Sequence, residues 1–302
     1  MQLDYHTLDV FTDRRFGGNP LAVVLGADGL DTELMQTIAR EFNLSETVFV
    51  QRAVNPAHSA RVRIFTPAAE LPFAGHPTIG TACLLADLRT PSNGSERDAL
   101  VALEQNIGTV RVGVRLTDGT AYAEFDAPKV PESAGPAPTV DQLAAALGLI
   151  PSEIGAENYR PTVYTAGVPF VFVPVASLES VARADVHAQH WRQTFTGCVS
   201  DKVFVFCRQT VHASSAFHAR MFAPSLGVKE DPATGSAAAA FAGVIHQFDA
   251  LPDGNHRRVV EQGFEMGRPS LISLSIDIAR GALGAVRIGG GAVRVSEGRI
   301  TL

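Results

Sequence analysis

Glu46 stands between a helix-forming stretch and an apolar strand, in Asn43-Leu44-Ser45-Glu46-Thr47-Val48-Phe49. A carboxylate beside such a strand is open to desolvation, which raises its pKa toward the range useful for proton transfer. The bland alternative is a solvated loop carboxylate. His76 sits in the turn Leu71-Pro72-Phe73-Ala74-Gly75-His76-Pro77. An imidazole there can donate to a substrate oxygen or titrate near neutral pH; it can also simply bond backbone at a helix start. Asp231 belongs to a second small-residue turn, Glu230-Asp231-Pro232-Ala233-Thr234-Gly235-Ser236. It can accept from a substrate amine or hydroxyl, or cap the helix that follows. Each turn runs into an apolar stretch. A helix start presents unpaired N–H groups and partial positive charge, and Gly75, Gly235 and Ser236 would let an anion approach that backbone. Plain capping by Ser236 is the competing reading. Taken together these groups suit acid–base chemistry on a small carboxylate.

Other chemistries lack their signatures. Thr234-Gly235-Ser236 is not a phosphate-binding loop, since Gly-x-x-x-x-Gly-Lys-Ser/Thr is absent. Ser236 also lacks the Gly-x-Ser-x-Gly frame of a nucleophile elbow. His187 and His190 are three apart with no third ligand apparent, so no metal is expected, and no cofactor is called for. Cys83, Cys198 and Cys207 have no metal-type spacing and read as reduced, buried thiols of a cytoplasmic protein.

The elements that must hold these residues occur twice. Ser45-Glu46-Thr47-Val48-Phe49-Val50 returns as Ser200-Asp201-Lys202-Val203-Phe204-Val205, and Arg63-Ile64-Phe65-Thr66-Pro67 as Arg220-Met221-Phe222-Ala223-Pro224. Gly18-Asn19-Pro20 before an apolar strand returns as Gly167-Val168-Pro169 before another. The copies keep their order at offsets of 149 to 157 residues. Two similar lobes follow, with a small-molecule pocket expected between them. Asp201, the counterpart of Glu46, is one methylene shorter and sits beside Lys202, so a solvated or paired charge is expected there.

Residues 31–41 read as an amphipathic helix capped by Asp31 or Thr32, and 140–147 as another helix. Residues 78–88 and the run from Ala237 to Ile245 are apolar nearly all round, and a helix apolar all round is buried all round. Strands are expected at 8–11, 21–25, 47–50, 61–65, 100–103, 109–116, 122–125, 170–175, 203–207 and 216–222, with a turn at Asp118-Gly119 and a linker at 128–138. The 61–65 strand alternates as a half-buried strand should. Each lobe then holds many strands and one thoroughly buried helix. The expected class is α+β, with two pseudo-symmetric lobes, each a mostly antiparallel sheet wrapped around a central helix. The several two-faced crossover helices of a doubly wound sheet are not apparent. The first lobe covers 1–127 and the second 128–289; pattern alone leaves open whether 290–302 crosses back to complete the first.

The 302 residues include 25 basic and 31 acidic side chains, for a net charge of −6, without long runs of one sign. Neither nucleic acid nor an anionic membrane is expected as the main partner. The first residues carry no secretory pattern, and no apolar run reaches the length of a membrane span.

At Ser45-Glu46, at Leu71 to Pro77 and at Asp231 to Ala237 the chain resembles the phenazine-biosynthesis PhzF-like isomerase family. Gly18-Asn19-Pro20 and Gly267-Arg268-Pro269-Ser270 add to the likeness, which spans almost the whole sequence. The resemblance implies a diaminopimelate epimerase-like fold and a homodimer. It implies a cofactor-independent isomerase in which one glutamate, matched by Glu46, moves a proton. His76 and Asp231 match the family's other catalytic residues, and Gly75, Gly235 and Ser236 its anion-binding groups. The characterised activity of that family is isomerisation of trans-2,3-dihydro-3-hydroxyanthranilate, in phenazine biosynthesis. Epimerases and racemases of the same fold use two facing cysteines, and neither turn here contains one. An amino-acid epimerase and a non-catalytic small-molecule-binding protein are the alternatives.

Overall fold

The computed structural model describes residues 1–89, 96–117 and 120–302; the Asp118-Gly119 turn lies outside them. The chain divides into two compact units. The first comprises Met1–Asp126 with Gly289–Leu302, and the second Ala127–Ile288.

The first unit contains β1 (Gln2–Val10), β2 (Asn19–Val24), α1 (Thr32–Phe42), β3 (Glu46–Gln51), β4 (Ala60–Phe65) and β5 (Glu70–Leu71). It continues with α2 (Gly75–Arg89), β6 (Arg97–Gln105), β7 (Gly108–Thr117) and β8 (Thr120–Asp126). Most neighbours are antiparallel, but β2 pairs parallel with β3 and β4 parallel with β6. A parallel pair needs a crossover, and α1 and α2 supply the two.

The crossovers differ in what they bury. α2 packs on β1, β2, β3, β6, β7 and β8. Every residue from Gly75 to Ala86 is buried, as its all-round apolarity requires. Gly80 marks the closest approach: a Cβ there would come within 2.6 Å of Leu21 and 2.7 Å of Val10. α1 is one-faced and sets Met35, Ile38 and Ala39 against Val24, Phe49 and Phe65. Asp31 caps it by accepting from Leu34 N–H at 2.8 Å. Because α1 and α2 both cover the sheet, Val48 and Phe49 of β3 are both fully buried. β4 alternates as expected, with Val62 and Ile64 buried and Arg61 and Arg63 more exposed, except at its end, where Phe65 is as inaccessible as Ile64 and packs edge-on to Phe49.

The second unit contains β9 (Glu132–Gly135), α3 (Val140–Leu147), β10 (Thr162–Thr165), β11 (Pro169–Pro174), α4 (Leu178–Arg183), α5 (Ala188–Phe195), β12 (Val203–Cys207) and β13 (Phe217–Ala223). It goes on with β14 (Val228–Asp231), α6 (Gly235–Phe248), β15 (Gly254–Gln262), β16 (Ser270–Ala279) and the first part of β17 (Ala282–Thr301). The pattern repeats: β11 pairs parallel with β12, and β13 parallel with β15 across α6. α6 packs on β9, β10, β11 and β16. Its Phe241 centres an aromatic cluster, stacked on Phe172 at 5.5 Å and close to Phe204, Phe206 and Phe217.

Three expectations need correction. The β11–β12 crossover is built from α4 and α5, two short helices that the sequence did not lead us to expect; they join α3 over the outer face of β11 and β12. Residues 128–138 are more than a linker, because Glu132–Gly135 forms β9 and pairs with β10. The 8–11 strand is the end of the nine-residue β1, which stops at Val10 and leaves Phe11 outside it. β1 pairs antiparallel with β17, from Gln2 opposite Thr301 to Val10 opposite Ala292. The class is sheet-rich α+β, as expected.

Candidate active site

In the first unit the chain leaves α1 through Asn43, whose left-handed backbone (φ 51°) ends the helix. It enters β3 at Glu46, so this residue is a strand terminus, not a loop residue. The Glu46 side chain is only 16% exposed. His76, the second residue of α2, is 4% exposed. Its Nε2 lies 3.3 Å from Glu46 Oε2, without the alignment of a hydrogen bond. Separation alone would suggest an ion pair. Burial argues otherwise: desolvation pushes the imidazole down to about 3, so it is neutral at physiological pH. His76 therefore does not titrate near neutrality, one of the two roles its sequence position allowed. A neutral ring still offers one N–H and one lone pair.

In the second unit Asp231 ends β14, Pro232 to Thr234 form the turn, and α6 begins at Gly235. Thr234 occupies the N-cap position but makes no side-chain cap. Its hydroxyl instead donates to Asp231 Oδ2 at 2.5 Å. Ser236, the second residue of α6, is not its N-cap. Gly235 is buried and Ser236 partly so. The first N–H groups of a helix have no partner within it, which leaves this end fit to hold an anion.

Both turns are held by the same devices. Arg63 pairs bidentately with Glu70 across β4 and β5, and Arg220 with Glu230 across β13 and β14. Each clamp pins the short strand that feeds a turn. Arg220 also donates to the carbonyls of Val181, Ala182 and Ala184 at the end of α4. Glu104 accepts from Val54 and Asn55 N–H and contacts His58; Glu261 does the same for Val211, His212 and His218. His218 is further flanked by Glu265; burial lowers its pKa, but the two carboxylates outweigh that and raise it. Finally, Gln105 donates to Thr78 of α2, and Gln262 bonds the turn before α6. The copies of Arg63 and Arg220 were visible in the sequence. The glutamates and glutamines were not singled out, although Glu104 with Glu261 and Gln105 with Gln262 recur at the offset of 157 shown by the arginines.

Asp201 accepts from the Ser225 hydroxyl at 2.9 Å at an exposed site. All three cysteines are free thiols. Cys83 is buried within α2 and burial pushes its thiol up to about 12; Cys207 behaves likewise. Cys198 is exposed, contrary to the expectation of burial, because it follows the end of α5. Among the described residues no group of three or more His, Cys, Asp or Glu side chains could hold a metal ion. No described helix is long and apolar enough to cross a membrane.

The family model described as phenazine biosynthesis-like protein matches residues 8–298. A protein of Mesorhizobium japonicum, named an uncharacterised isomerase, is 51% identical over 98% of both chains. The trans-2,3-dihydro-3-hydroxyanthranilate isomerase of Pseudomonas aeruginosa is 37% identical over 99% of both. The crystal structure of a PhzF-family phenazine biosynthesis protein from Bacillus anthracis superposes with a TM-score of 0.89 at 24% identity, each chain fully covered, and so shares the fold. By a match that runs nearly from end to end, this chain belongs to the PhzF-like, phenazine biosynthesis-like family.

Proposed function

We propose that this protein is an isomerase that moves a proton within a small carboxylate-bearing molecule, by the acid–base chemistry of its own side chains. Trans-2,3-dihydro-3-hydroxyanthranilate is the substrate to try first, because a relative of 37% identity carries that activity in its name. The observation that carries the reading is the Glu46 carboxyl, mostly withdrawn from water and 3.3 Å from a buried neutral imidazole.

In this reading Glu46 takes the proton from an activated C–H bond. The electron pair of that bond moves into the substrate's conjugated system, and a new C–H bond forms elsewhere on the same face when Glu46 returns the proton. His76 and Asp231 orient the substrate and stabilise the shifted double bonds. Gly75, Gly235 and Ser236 bind its carboxylate through the helix starts. A neutral His76 suits this role, since it can share a hydrogen bond without adding a charge beside Glu46. The high thiol pKa values of Cys83 and Cys207 disfavour the two-thiol chemistry of an epimerase.

The test is Glu46→Gln, assayed by NMR detection of product, with circular dichroism to show an intact fold. A positioned acid–base group contributes about 10²–10⁴-fold in rate, so a loss of at least that order is expected. Near-normal turnover by the folded variant would eliminate the base.

A further inference from the structure

Gln262 is fully buried at the end of β15, where an apolar side chain would pack at no desolvation cost. Its amide spends its bonds on one target. Nε2 donates to the Asp231 carbonyl at 2.7 Å and to Thr234 Oγ1 at 3.2 Å, and Oε1 accepts from Thr234 N–H at 3.2 Å. The polarity is set by chemistry. An amide NH2 only donates, so the Thr234 oxygen accepts from Gln262 and its proton goes to Asp231 Oδ2. The next residue, Gly263, seats the turn: a Cβ there would lie 2.5 Å from the Pro232 carbonyl oxygen.

Two comparisons within the molecule sharpen this. A threonine at an N-cap ordinarily accepts from an amide of the first turn, whereas the Thr234 side chain is turned to Asp231 and makes no such cap. In the first unit, Gln105 at the matching place donates to Thr78, inside α2, and its Oε1 has no hydrogen-bond partner among the described residues. That copy braces the helix; the Gln262 copy is wired to an acidic side chain.

We infer that Gln262 is a positioning residue which, through Thr234, orients the Asp231 carboxylate and keeps the α6 amides open for a substrate anion. This rests on the assignment of Asp231 and the α6 start to the site.

Four variants test it: Gln262→Leu, Thr234→Val, Thr234→Ser and Asp231→Asn. Crystal structures give a readout that needs no activity. In Gln262→Leu the Thr234 hydroxyl should swing onto the N–H of Ser236 or Ala237 and release Asp231. Kinetics on trans-2,3-dihydro-3-hydroxyanthranilate give the second. Misplacing a reacting group by about 1 Å can cost ~10²-fold, so losses up to that size are expected for Gln262→Leu and Thr234→Val. In Gln262→Leu the recapped amides should also raise KM. Thr234→Ser, which keeps the hydroxyl, should recover most of what Thr234→Val loses; a merely structural contact would not discriminate in this way. An unmoved Thr234–Asp231 bond in Gln262→Leu would overturn the inference. Normal turnover by Asp231→Asn would instead sink the functional assignment and leave the geometry standing.

Discussion

His76 makes acid stability a sharp test of how the site is built. Its imidazole titrates at 6.5 when unfolded and is pushed down to about 3 by burial in the native protein. Above pH 6.5 both states are neutral there, and stability is undiminished. As pH falls from 6.5 toward 3, the unfolded chain binds a proton that the native one does not, and stability is lost progressively. One pKa unit is worth about 1.4 kcal/mol, so the full penalty is about 5 kcal/mol and the share lost between pH 7 and pH 5 is about 2 kcal/mol. The Glu46 carboxyl at 3.3 Å favours a charged ring and works in the opposite direction, which makes these upper figures. Other groups titrate in the same window, so the measurement must be differential. Urea unfolding of the parent protein and of His76→Gln, each at pH 7 and pH 5, isolates the residue. The parent should lose up to about 2 kcal/mol more than the variant. Equal losses would refute the neutral buried imidazole, and with it the uncharged role assigned to His76.

Three further outcomes follow from packing. Phe241→Ala removes the ring at the centre of the α6 aromatic cluster and should cost about 3–5 kcal/mol in chemical denaturation. Gly80→Ala forces a methyl against Leu21 and Val10 and should cost about 1–3 kcal/mol, read as a lower melting temperature; an unchanged one would show that α2 can move away from the sheet. A thiol reagent should titrate Cys198 alone in the native protein and all three cysteines after unfolding, because Cys83 and Cys207 are buried with raised pKa values.

Much of the fold was legible because it repeats. The paired motifs marked β3 with β12 and β4 with β13. The all-round apolarity of α2 and α6 announced their burial. The bounds of α3 and β12 agree with the expected spans residue for residue. What escaped were elements whose reason for existing is non-local. α4 and α5 are short and carry polar faces, and they are secured by contacts such as Arg220 on the α4 carbonyls. β9 is four residues inside a proline-rich stretch and exists because β10 offers it a partner.

The sequence by itself determined which residues are available for chemistry: one glutamate between a helix and an apolar strand, a histidine and an aspartate in two small-residue turns, and no cysteine in either turn. Their types, order and repetition are local properties of the chain. Only the tertiary structure decided their states. Burial under a complete sheet holds His76 neutral, and a glutamine 28 residues beyond Thr234 turns that hydroxyl from its helix toward Asp231. Desolvation and hydrogen-bond partnership depend on everything packed around a group, and those neighbours come from distant parts of the sequence.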